Sequence, residues 1–143
     1  MAPLIALKQT QGFTVTKKKL SEIGGNNTTS IKNNIKAEYQ GSNPPVYVIL
    51  VGDYMVGEPT MGLTNYTGRT NLAENRTDLH YFTMDSDDEF VPDILWGRFP
   101  VTTMQQLENM ISNLTWYHNT GGDEDFVKKA EFLGSNDSSF WHI

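Results

Sequence analysis

The chain has 143 residues, 38% of them hydrophobic and 20% charged. That balance suits one folded domain and is too apolar for a disordered chain. Seventeen acidic against eleven basic residues leave a net charge of −6, which argues against nucleic acid or an anionic membrane as the main partner. Cysteine is absent, so disulfides, thiolate metal sites and a cysteine nucleophile within these residues are excluded. No apolar run approaches the roughly 18 residues of a membrane-spanning helix, and Met1 is not followed by a basic-then-apolar leader pattern.

In chain order, Leu4 to Gln11 reads as a short helix stopped by Gly12. Phe13-Thr14-Val15-Thr16 alternates with period two and is rich in β-branched residues, which predicts a strand. Lys17, Lys18 and Lys19 follow as a solvated strand edge or turn. After the Gly24-Gly25-Asn26-Asn27 loop, Thr28 or Thr29 can cap a helix whose apolar stripe is Ile31, Ile35 and Tyr39. Pro44-Pro45 breaks the chain ahead of Val46-Tyr47-Val48-Ile49-Leu50-Val51. This continuous apolar run, closed by Gly52-Asp53, suits a strand buried on both faces of a parallel sheet.

Tyr54 to Thr77 has no clear period, and its length is that of a lid or binding loop. Leu79 to Met84 is expected to form a short strand, and Ile94-Leu95-Trp96-Gly97 a second buried one. Thr102 and Thr103 offer capping boxes with Gln105 and Gln106. They precede Met104, Leu107, Met110, Ile111, Leu114 and Tyr117, which recur at three and four, so the best helix runs to about His118. Phe126 to Leu133 is read as a last strand. Alternating strands and helices predict an α/β fold with a mostly parallel sheet and flanking helices. The chain opens inside a helix and stops soon after a strand, so truncation of the domain at both ends is expected.

Polar composition bears on the compartment. Asn, Thr and Ser make up 35 residues, and N-x-[ST] sequons begin at Asn26, Asn27, Asn65, Asn75, Asn113 and Asn136. An Asn/Thr-rich sequence generates such sequons by chance. A polar, weakly charged, cysteine-free surface nevertheless resembles that of exported bacterial proteins.

The carboxylates carry the strongest chemical signal. Asp53 ends the first buried strand, while Asp85, Asp87, Asp88, Glu89 and Asp93 crowd into nine residues before the next. With strand ends side by side, Asp53 is expected to meet this acidic loop. Carboxylates so gathered repel one another unless a cation neutralises them, and hard oxygen donors on a loop favour calcium. The loop is no EF-hand, since Phe90 and Trp96 stand where Gly and Glu belong. A solvated acidic turn without an ion is the alternative. Asp53, Asp78 and Asp93 could also supply an acid/base pair, but any acidic loop offers such pairs. A hydrolase using the Asp cluster itself would need two cations about 3.5–4 Å apart. His118 sits where a helix C-terminus favours it, His80 reads as a packed or edge residue, and His142 is one residue from the end.

Three segments in series carry a family resemblance. They are Pro44-Pro45-Val46-Tyr47-Val48-Ile49-Leu50-Val51-Gly52-Asp53, then Thr77-Asp78-Leu79-His80-Tyr81 leading into Asp85-Ser86-Asp87-Asp88, and Pro92-Asp93-Ile94-Leu95-Trp96-Gly97-Arg98-Phe99-Pro100 with its following helix. Their order and spacing resemble the gingipain family of secreted cysteine endopeptidases. Gln11-Gly12-Phe13-Thr14-Val15 and Ser21-Glu22-Ile23-Gly24 fit the same family. The resemblance implies that residues 1–143 are part of a catalytic domain with a caspase-like, three-layer α/β fold, mainly its amino-terminal subdomain. It implies calcium held by carboxylates of Asp53, Asp88 and Asp93 and by carbonyls of Asp85 and Val91, in a structural role. The family's Gly-His-Gly and strand-terminal cysteine motifs are absent here, so no catalytic residue is carried over. Implied too are protein or peptide substrates, the remainder of the catalytic domain as partner, and a secreted or cell-surface location of bacterial or archaeal type. A non-catalytic, calcium-stabilised binding module or degenerate peptidase relative is the alternative.

Overall fold

The structure, a computed structural model, describes residues 1–54, 66–67, 76–85, 91–120 and 124–131. Among the described residues three α-helices pack around a small parallel sheet, so the fold is α/β. Helix α1 spans Ala2–Thr10, with a proline in its first turn where a missing N–H costs nothing. Helix α2 spans Thr28–Tyr39. Its cap is Asn27, whose Oδ1 accepts the Ser30 N–H at 2.8 Å. Neither Thr28 nor Thr29 takes that role, because Asn27 stands in extended backbone and its side-chain oxygen reaches the third helical amide, while Thr28 and Thr29 are already helical.

Strand β1 covers Tyr47–Val51. A two-residue antiparallel ladder, β2 (Tyr66–Thr67) with β3 (Arg76–Thr77), lies within the expected long connection. Strand β4 covers Leu95–Phe99 and pairs parallel with β1, Tyr47 opposite Leu95 and Val51 opposite Phe99. Helix α3, Met104–Asn119, returns from the sheet. Its capping box forms with Thr103 and Gln106: Thr103 Oγ1 accepts the Gln106 N–H, and Gln106 Oε1 accepts the N–H groups of Thr102 and Thr103.

Alternation along the strands splits the core in two. Leu50, with Ile94 just ahead of β4, points to one face, where it packs with Ile31, Ile35, Tyr81, Phe82 and Met84. Val51 and Phe99 point to the other, against Leu4, Val101, Leu107 and Ile111 of α1, α3 and the intervening turn. The second covering is partial. Helices α1 and α3 reach the carboxyl half of that face, while Tyr47 and Ile49 remain 58% and 41% exposed. The expectation that β1 is buried on both faces therefore fails at its beginning.

Two predicted strands, and the described part of a third, are not formed. Residues 13–16 are irregular: Phe13 is fixed by its N–H to the Lys8 carbonyl at 3.1 Å and by an edge-on contact with Tyr47, and no neighbour takes up the backbone beyond it. Leu79–Tyr81 is a single 3-10 turn, since Tyr81 N–H reaches the Asp78 carbonyl and Phe82 N–H that of Leu79. Consecutive Tyr81, Phe82, Thr83 and Met84 are all buried, an arrangement that strict alternation forbids. Asp125–Lys128 is likewise a short turn, with Phe126 stacked on Trp116 of α3 at 5.7 Å. The remainder of that predicted strand, beyond Glu131, lies outside the described residues.

Candidate functional site

The carboxyl end of the sheet is the most elaborately built polar site. β1 closes with Gly52, whose φ of +135° excludes other residues at ordinary cost. Its N–H donates to the Phe99 carbonyl, and the Asp53 N–H donates to that of Val101, both at 3.0 Å. The Gly52 carbonyl accepts Nη1 of Arg98 at 2.7 Å. The same guanidinium grips Asp78 through two parallel bonds, Nε to Oδ2 and Nη2 to Oδ1. Both side chains are only 13% exposed. Arg98 thus ties the end of β1, the carboxyl end of β4 and the start of the 3-10 turn into one cluster.

The acidic loop lies elsewhere. Met84 N–H donates to Asp93 Oδ2 at 2.6 Å, and Asp93 N–H returns a bond to the Phe82 carbonyl at 2.9 Å. Lys36 of α2 donates from Nζ to the Met84 carbonyl at 2.8 Å. These bonds pin both stems of the loop beside the amino end of β4, and Trp96 stacks on Phe82 at 5.1 Å over them.

The expected calcium ligands distribute as follows. Asp53 follows β1 at the carboxyl end of the sheet, whereas Asp93 precedes β4 at the amino end. The five paired positions between them span about 13 Å, well over what oxygen ligands to one ion at ~2.5 Å permit. The structure does not bring these two together, because a loop entering a parallel strand meets the entry of its neighbour, not its exit. Asp85, Val91 and Asp93 bracket the loop, with Asp85 and Val91 exposed, and Asp88 lies outside the described residues. Among the described residues no group of three or more His, Asp or Glu side chains is gathered to hold a metal. The local donor set is nevertheless all oxygen, and Met84 occupies one Asp93 oxygen while Oδ1 has no partner among the described residues. That chemistry fits a hard cation.

The remaining candidates separate too. Asp78, one member of the possible acid/base trio, is held by Arg98. His80 sits in the 3-10 turn, half-buried, and not on a strand. His118 closes α3 with its ring nitrogens 3.2 Å from Gln11 Nε2, and His142 lies outside the described residues. The joining of Arg98, Asp78 and Gly52 is not legible in the sequence, because Asp78 and Gly52 stand 20 and 46 residues from Arg98.

The segments that meet at this cluster and at the acidic loop are those on which the resemblance rested, and the family model described as peptidase family C25 matches residues 1–142. The chain belongs to peptidase family C25, the gingipain family. No curated protein and no solved structure matches the chain. Membership relates these residues to cysteine peptidases acting on protein substrates. Within this cluster of the C25 chain the charges of Arg98 and Asp78 satisfy each other. No helix among the described residues is long and apolar enough to cross a membrane.

Proposed function

We propose that these 143 residues are a scaffold portion of a secreted cysteine endopeptidase of gingipain type, with a caspase-like framework. Family membership across residues 1–142 carries the reading. In the intact enzyme a thiolate would attack the peptide carbonyl, assisted by a histidine, with backbone amides stabilising the oxyanion. The chain holds no cysteine, so the nucleophile must come from outside it, and the catalytic histidine is proposed to lie there as well. The purified chain is then expected to leave peptide substrates intact, and the full-length protein to cleave them until its thiol is alkylated. Hydrolysis by the isolated chain, or full-length activity untouched by alkylation, would refute this.

The acidic loop is proposed to hold a structural calcium ion through Asp85, Asp88, Val91 and Asp93. Asp53, at the opposite end of the sheet, is left out of this ligand set. What supports the proposal is the oxygen-only donor set and the pinned stems of the loop. The test is a thermal melt in calcium and then in chelator: the midpoint should fall on chelation, and Asp93→Asn should abolish the difference. The absence of cysteine also keeps a second reading in play, a calcium-stabilised non-catalytic relative; it predicts a full-length protein with no alkylatable catalytic thiol.

A further inference from the structure

Residues 13–19 join α1 to the turn that precedes α2 and belong to no helix or strand. Phe13 anchors the start against Tyr47, and the Lys19 N–H donates to Glu22 at 2.7 Å at the other end. Between these anchors, among the described residues, no backbone hydrogen bond involves residues 14–18. Among the described residues the one side-chain tie is Lys18 to Glu38, an ion pair with its partners 43% and 44% exposed, a class that contributes little. Lys19 is extended, with φ −102° and ψ 152°, and every residue from 13 to 19 except Val15 is exposed. The segment is thus unpaired at its backbone, open to solvent and marked by three successive lysines.

Endopeptidases bind substrate as an extended strand and pair with its free backbone groups, and exposed irregular segments are their preferred points of attack. A specificity pocket carrying a carboxylate selects lysine or arginine. We propose that Lys17-Lys18-Lys19 is a processing site for an endopeptidase of this lysine-reading class. Hydrolysis breaks the C–N bond after one of these lysines; water supplies hydroxyl to the new carboxylate and a proton to the new amine. The other described basic residues are less suited. Lys8, Lys32 and Lys36 lie within helices, Arg76 and Arg98 within strands. Lys128 and Lys129 are flanked by Glu124, Asp125 and Glu131, which an acidic pocket repels. Cleavage at 17–19 would cut the covalent link between α1 and α2, leaving α1 held by Leu4 packed against Val101, Leu107 and Ile111 and by the contact of Gln11 with His118.

Limited digestion of the chain with trypsin, sampled in time by intact mass spectrometry, tests this. The first product pair should map to cleavage after residue 17, 18 or 19. The variant with all three lysines changed to glutamine should lose intact mass at least tenfold more slowly. A first cut at any of the other basic positions, simultaneous cutting at many sites, or an unchanged rate in the triple variant would overturn the proposal. A circular dichroism spectrum matching the parent shows that the triple variant is folded; Lys→Arg replacement at all three positions should restore rapid cutting.

Discussion

Among the described residues, Arg98 directs all three guanidinium nitrogens to Asp78 and Gly52, and this decides what its loss would do. Arg98→Met would leave the Asp78 carboxylate buried without a counter-charge and the Gly52 carbonyl without its donor. Breaking a buried pair from one side costs about 3 kcal/mol or more. For a chain of this size that lowers Tm by roughly 6–12 °C. Arg98→Lys should recover only part, because an ammonium cannot offer the two parallel bonds. The double change Arg98→Met with Asp78→Leu should be milder than the two singles combined, since it leaves no orphaned charge. A melt unchanged by Arg98→Met would show that the cluster does not hold the strand ends. Thr83 presents the opposite case. It is fully buried, and its hydroxyl has no hydrogen-bond partner among the described residues. Thr83→Val should leave stability unchanged or raise it by about 1 kcal/mol in denaturant unfolding; a clear loss would mean the hydroxyl is satisfied.

At the scale of elements, helices α2 and α3 rest on identifiable side-chain caps. Asn27→Ala and Thr103→Ala should each cost about 1 kcal/mol in chemical denaturation. Thr28→Ala, at a position that caps nothing, should stay within about 0.5 kcal/mol. Helices were legible in the sequence because their signals are local: the three-and-four recurrence from Met104 to Tyr117 and the Thr103–Gln106 box lie within one segment. The strands at Val46–Val51 and from Ile94 were legible as well, from apolar runs bounded by turn residues, and a parallel sheet from the alternation of strands and helices. Strands at Phe13, Leu79 and Phe126 were misread because a short alternating or apolar run does not say whether a neighbour exists to pair with it. At Leu79 the deciding facts are tertiary, two adjacent aromatic rings entering one core. The same limit governed the site. Individual acids at strand ends were plain, but which end each occupies depends on strand direction, and Arg98 found its partners through the fold.

Across the whole molecule, the two faces of the sheet are unequally covered, and substitutions should report it. Ile94 is 1% exposed and Ile49 41% exposed. Ile94→Ala should therefore destabilise by about 2–5 kcal/mol, and Ile49→Ala by markedly less, read from equilibrium unfolding. Leu50 and Val51 are consecutive, yet each belongs to a different apolar cluster. The halves they enter are joined through the β1–β4 ladder and its continuation at Gly52 and Asp53. Two bodies sharing so narrow a seam need not open together. In native-state hydrogen exchange, amides of α2 and residues 81–84 should fall into one protection class and those of α1 and α3 into another. Amides along β1 and β4, bonded across the seam, should follow the slower of the two, so their exchange would measure how strongly one half of the chain senses the unfolding of the other.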